Sequence, residues 1–333
     1  MLFNKFRWMM VVMIMGLLLV ACGGDDAGTD ATAEPTQAAE VTEPTAEPVE
    51  EPTEEPTEEP TAEPTEEMME SSLTAEEQAG EYIYRVAIGC GCHFQPEAGT
   101  LAGGREFSGG FGSVVASNLT SDPETGLGNW TDEEIVNAIR FGQRPDHAMG
   151  AQGLEDGTNL FLMPRYSGMS DEDAMNLVAY LRTLEPVQNE VAKRSLNFPA
   201  QPFEPAEAPP AEAPTEPVAR GKYLVEIARC SQCHTPTVDG QPDMSMLLAG
   251  APFRDTVAPN LTPDDLTGLG LWSDEEIATL LHDGVFDDGT ELEGAMGNQV
   301  DNGLSYLTDE DIDAIVAYLR SLPPVENLPA TPE

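Results

Sequence analysis

The sequence predicts an all-α protein made of two tandem copies of one small helical unit, following a segment that does not fold. Three observations predict it. Strings near residues 80–93, 118–135 and 179–182 recur near 221–234, 260–277 and 317–320. Apolar side chains fall at helical spacing behind residues that cap helix starts. No stretch alternates apolar and polar residues for long enough to read as a strand.

The chain begins with Lys5 and Arg7, then an apolar run over residues 8–21 that ends at Cys22. About 20 apolar residues are needed to span a bilayer, so this shorter run, with its basic start and small-residue end, reads as a secretory signal. The string Leu19-Val20-Ala21-Cys22 resembles a bacterial lipobox. The resemblance implies cleavage before Cys22 and a lipid on its thiol. The expected location is the extracytoplasmic face of a bacterial membrane, in the periplasm or at the cell surface.

Sixty acidic against fifteen basic residues give a net charge of −45 over 333 residues. Such an excess excludes nucleic acid, whose phosphates need a basic surface. Part of the charge lies in residues 25–70, where 17 acids and no base cycle through Glu-Pro-Thr repeats. Too few apolar side chains remain there to offset chain entropy, and the charges repel. This is an acidic, disordered spacer over residues 22–72, able to reach at most about 150 Å if fully extended.

Beyond the spacer the two copies begin. Gly80-Glu-Tyr82 and Gly221-Lys-Tyr223 open matching first helices, with Tyr82, Ile83 and Val86 read as one face of the first. Thr131-Asp-Glu-Glu134 and Ser273-Asp-Glu-Glu276 are capping boxes, in which a hydroxyl and a carboxylate satisfy free amides at a helix start. Ser170 and Thr308 open the last helices. Their apolar faces are Ala174/Leu177/Val178/Leu181 and Ile312/Ile315/Val316/Leu319, at i, i+3, i+4 and i+7. The expected layout is a signal over 1–21, the spacer over 22–72, a first domain over 73–196, a Pro/Ala/Glu linker over 197–218 and a second domain over 219–327. Each copy has few large apolar side chains for its length, so something apolar should fill its middle.

Cys230-Ser-Gln-Cys233-His234 supplies a reason. This C-x-x-C-H run is the attachment signature of c-type haem: residues three apart share a helix face, so both thiols reach one porphyrin and the histidine reaches its iron. A zinc site would need more ligands than His282 adds, and no βαβ pattern suggests a redox disulfide. Export also suits thioethers, which are permanent.

In the first copy the run is Cys90-Gly-Cys92-His93, with one residue between the cysteines. Thirteen residues separate Gly80 from His93 and Gly221 from His234, so nothing is deleted: Gly89 stands in the place of the first cysteine. Residues two apart do not share a helix face. Cys92 is expected to keep its thioether, and Cys90 needs local unwinding to form one. A second haem c is expected here, attached by Cys92 alone or by both thiols.

Both copies resemble class I cytochrome c domains. The strings around residues 118–135 and 260–277, with the Tyr-Leu-Arg endings at Arg182 and Arg320, resemble the cytochrome c subunits of membrane-bound alcohol, aldehyde and gluconate dehydrogenases. Those subunits often carry three haems, whereas this chain has motifs for two. The resemblance implies a methionine thioether as second axial ligand: Met296 in the second copy, and Met163 in Met163-Pro164-Arg165-Tyr166 in the first, with Met149, Met169 and His147 as alternatives. Trp130 and Trp272 are expected near the haem or in the core. Arg105 and Arg254 are expected at propionates or in exposed ion pairs. Asn118-Leu-Thr120 and Asn260-Leu-Thr262 fit a glycosylation sequon, but their matching placement favours a structural loop.

The expected function is electron transfer, not catalysis. His/Met ligation raises the reduction potential and leaves no open coordination position. The acidic surface would steer the protein to a redox partner with a basic docking face. Two alternatives stand beside it: an electron-accepting subunit of a dehydrogenase complex, which differs only in partner, and an enzyme, a dihaem peroxidase, which would need one iron open to peroxide.

Overall fold

The computed structural model describes residues 73–87, 89–145, 163, 165–197, 208–239 and 241–331. The signal, the spacer and Cys22 lie outside the described residues, as do His147, Met149 and the side chain of Cys90. Residues Met68–Glu333 form one compact unit.

Helices dominate, in the order the repeats predict. The first repeat holds α1 (Ala75–Ala87), a 3-10 turn over Gly89–His93, α2 (Asp132–Phe141) and α3 (Asp171–Thr183). The second holds α4 (Pro217–Ile227), the short α5 (Ser231–His234), α6 (Asp274–His282), α7 (Gly294–Asn302) and α8 (Asp309–Ser321). Helix α4 starts inside the segment read as linker: Pro217 occupies its first turn, and the Glu216 carboxylate accepts from the amide of Ala219. The capping boxes form as read, with the Thr131 and Ser273 hydroxyls accepting from the amides of Glu134 and Glu276. Ser170 and Thr308 accept likewise from Asp173 and Asp311.

The all-α expectation misses one component. Short strands form three small antiparallel sheets among the described residues: β1 (Glu106–Gly109), β2 (Gly112–Val115) and β3 (Ser195–Leu196) in one, β4 (Thr237–Val238) with β5 (Gln241–Pro242), and β6 (Ala251–Phe253) with β7 (Thr256–Ala258). None exceeds four residues, too few for alternation to register, and glycine and left-handed turns close them. Gly112 takes φ +109°, and Arg254 takes φ 53° in the turn that pairs Phe253 with Thr256.

In each repeat the first helix crosses the last. Helix α1 packs on α3 and α4 on α8, and the crossing is close because it is built on glycine. A Cβ at Gly80 would lie 1.9 Å from the carbonyl oxygen of Asn176, and one at Gly221 would lie 1.8 Å from that of Ala314. The buried faces of α3 and α8 include the residues the periodicity predicts. One residue departs from its predicted face. Tyr82 is only half-buried, while Gly80, Ile83, Val86 and Ala87 form the core side of α1. At 3.6 residues per turn, Tyr82 points about 100° away from Ile83. Its hydroxyl instead donates to Asp311 of the second repeat, as Tyr223 donates to Asp173 of the first.

Candidate haem sites

In the second repeat α4 runs out at Ile227, and the chain turns through Arg229, at φ 59°, into Cys230. The amides of Cys233 and His234 both reach back to the Cys230 carbonyl, at 3.3 and 3.0 Å. One helical turn therefore carries both thiols and the imidazole. Burial pushes the Cys230 thiol up to about 12. Burial also raises Cys233, outweighing the nearby charges of Arg254 and Arg229. Burial thus disfavours the thiolate at both positions, and Cys230 packs against the apolar core. Among the described residues no three His, Cys, Asp or Glu side chains gather to hold a metal ion.

His234 is buried, and its Nδ1 lies 2.8 Å from the carbonyl oxygen of Pro259. The counterpart in the first repeat, His93, is also buried, with Nδ1 2.6 Å from the carbonyl of Ser117. A carbonyl only accepts, so each Nδ1 carries the proton and each Nε2 keeps its lone pair free. That is the arrangement a histidine metal ligand needs. Burial depresses both imidazoles below the usual histidine value, overcoming the bonds to carbonyls; the Arg144 charge adds to the effect at His93. The shift favours the neutral ring, the form that ligation requires.

The first repeat holds a cavity of about 410 Å3, lined by His93, Met163, Trp130, Tyr166, Arg144, aliphatic side chains and the polar Asn118, Glu124 and Thr125. Its size falls within the ~300–1,000 Å3 of cofactor sites. Met163 and His93 thus border one space. Met169, an alternative to Met163, is fully buried in the core and is not part of that lining. The backbone from Gly89 to His93 is a 3-10 turn, tighter than the α-turn of the second repeat, and Cys92 is half-buried. Met296 packs against the core from the first turn of α7, on a helix and not in a loop.

The wall of the cavity comes from the loop over residues 118–130, and its shape explains the repeated strings. Asn118 is buried, and its Nδ2 donates to the carbonyl of Val187 at 2.7 Å and to Thr125 Oγ1 at 3.1 Å. Asn260 does the same with Val325 at 2.7 Å and Thr267 at 3.0 Å. These asparagines are structural, as their matching placement suggested, and burial closes them to glycosylation. The Tyr-Leu-Arg endings have a role that sequence reading missed: Arg182 Nη1 donates to Leu127 O at 2.8 Å, and Arg320 Nη1 to Leu269 O at 2.7 Å, clamping each loop to its last helix. An arginine recurring at the same offset from the loop was the available signal.

Trp130 lines the cavity, with the Arg144 guanidinium 4.9 Å from its ring centre. Trp272 lies 6.3 Å from Phe286. Arg105 and Arg254 stack on Phe107 and Phe253, at 5.1 and 5.2 Å.

The cytochrome c family model matches residues 218–323, which hold the Cys230-to-His234 turn and Met296. A dihaem c-type cytochrome of Cereibacter sphaeroides is 33% identical over 278 residues, covering 77% of this chain and 89% of the relative. This chain belongs to the cytochrome c family. The cytochrome is also 33% identical over 273 residues to the cytochrome c subunit of a quinone-type alcohol dehydrogenase from Gluconacetobacter polyoxogenes. The fructose dehydrogenase cytochrome subunit of Gluconobacter japonicus is 34% identical over 263 residues. Those matches cover 74% and 73% of the cytochrome but only 56% and 52% of the relatives, so it spans about half their length. Membership makes haem c its cofactor, and the dihaem relative supports two haems.

Proposed function

We propose that this cytochrome is a lipid-anchored, extracytoplasmic dihaem electron carrier of two tandem class I domains, over residues 73–196 and 219–327, joined by a linker. When bound, haem c supplies a one-electron ferrous/ferric couple. Cys230 and Cys233 would hold the second haem and Cys92 the first, and Cys90 would add a thioether only if the Gly89–His93 turn opens. His93 with Met163, and His234 with Met296, would supply the iron ligands. The carrying observation is that Met163 borders the same cavity as His93, whose Nε2 is free. Nitrogen and sulfur ligands on one iron disfavour the peroxidase reading and favour electron transfer.

The relatives' names favour a dehydrogenase as electron donor, either as a docked partner or in a stable complex. The net charge supports a basic docking face on the partner, and the lipobox-like string supports a tether at Cys22. No helix among the described residues is long and apolar enough to cross a membrane.

Spectroscopy resolved for each haem tests the assignment. Two haems per chain, both low-spin with a thioether-to-iron band, are expected, and Met163→Ala should abolish that band for the first haem only. A high-spin first haem in the unaltered protein would revive the peroxidase. Cys22→Ser should release the protein from membranes.

A further inference from the structure

Besides the Tyr82–Asp311 contact, a second seam joins the repeats. Residues 165–173 of the first lie along α4 and Arg229 of the second: Tyr223 receives the amide of Ser170 and donates to Asp173, and Arg229 Nη1 donates to the carbonyl of Arg165 at 3.3 Å. At one end of this seam, Tyr166 faces the first cavity and the second repeat together. Its ring lines the cavity, its hydroxyl is fixed on Ala87 O at 2.9 Å, and the Arg229 guanidinium sits 5.7 Å from its ring centre. Arg229 in turn directly precedes Cys230. Its backbone holds the left-handed conformation at φ 59°, which non-glycine residues adopt only where their surroundings impose it. Neither side chain belongs to the repeat pattern: in register, Ile88 stands opposite Arg229 and Leu304 opposite Tyr166.

We propose that Tyr166 and Arg229 bridge the two haem sites, carrying the electron coupling between them, and that Arg229 raises the potential of the second site with its positive charge. The proposal rests on the two-haem reading above. One electron leaves a ferrous iron and reduces a ferric iron; no bond forms or breaks. Tyr166 keeps its proton, because the carbonyl it faces is no base, and Arg229 stays a guanidinium. A fixed cation beside the attachment cysteine disfavours the ferric state, one of the means by which a protein sets a haem potential.

The test compares the full-length holoprotein with Tyr166→Leu, Arg229→Gln, Arg229→Lys and Tyr223→Phe. Haem is counted by haemochrome, potentials come from spectroelectrochemical titration, and internal electron exchange is timed after photoreduction of one haem. Tyr166→Leu and Arg229→Gln should slow the exchange about tenfold or more. Arg229→Gln should also lower the second potential, which Arg229→Lys should restore. Tyr223→Phe cuts the Ser170 and Asp173 hydrogen bonds of the seam without touching the cavity or Cys230, and should exchange at the parent rate. Two haems with parent rates and potentials in Tyr166→Leu and Arg229→Gln overturn the bridge alone. Equal slowing by Tyr223→Phe also overturns it, since the seam would then act only by holding the repeats together. A parent protein with one haem overturns both the two-haem reading and the bridge.

Discussion

Replacing Gly221 by alanine sets two effects of known size against each other. By helix propensity alone the change stabilises α4, since alanine is better than glycine in a helix interior by about 1 kcal/mol. By packing it does the opposite, because the new methyl would sit 1.8 Å from the Ala314 carbonyl oxygen. A carbon meets a carbonyl oxygen no closer than about 3.3 Å, so α4 and α8 must part by roughly 1.5 Å. The obstacle is backbone on a neighbouring helix, with no flexible side-chain end to swing aside. Overpacking of this kind costs about 1–3 kcal/mol and here lies at the upper end. The net loss is therefore about 2 kcal/mol, or a fall in Tm of roughly 4–8 °C for a unit of this size. Thermal unfolding of the holoprotein, followed by far-ultraviolet circular dichroism, measures it, and Gly80→Ala should behave alike at α1 and α3. A Gly221→Ala protein as stable as its parent, or more stable, would refute the claim that close backbone approach is why glycine stands there.

Three further outcomes follow from the same structure. Asn260→Ala removes a buried side chain that ties Val325 and Thr267 to the loop, and should cost about 1–3 kcal/mol in urea unfolding; no loss would make the sequon-like string incidental. Burial alone would raise the Asp311 carboxyl, but hydrogen bonds from Arg220 and Tyr82 outweigh it and hold the group below its usual value. Its stabilisation is then complete above the ordinary aspartate range and lost as pH falls through the lowered value, so Asp311→Asn should flatten the acid limb of the stability profile. Cys92→Ser should leave one covalently attached haem per chain by mass spectrometry, whereas two would show that Cys90 forms its own thioether.

Much of the site was legible because its chemistry is local. Both histidines adjoin their cysteines in sequence, and a helical turn needs no distant partner to bring Cys230, Cys233 and His234 together. The helix starts were legible for the same reason, since a capping hydroxyl acts on an amide three residues away. What escaped depended on short elements or distant neighbours. The small strands were too brief to alternate, and the rings under Arg105 and Arg254 come from strand pairs that no periodicity announced.

By itself the sequence determined the repeat, the helical order, the two cysteine–histidine turns and the distribution of charge, all of which follow from periods, spacings and counts along the chain. Only the tertiary structure decided that Asn118 and Asn260 are buried struts, that Arg182 and Arg320 clamp the loops, and that Met163 and not Met169 borders the first cavity. It also decided that Tyr82 and Tyr223 leave their own repeats to hold each other's last helix. The physical reason is the same in each case. A side chain's role in these places is set by the carbonyl or carboxylate that folding brings to it from about 50 to 230 positions away.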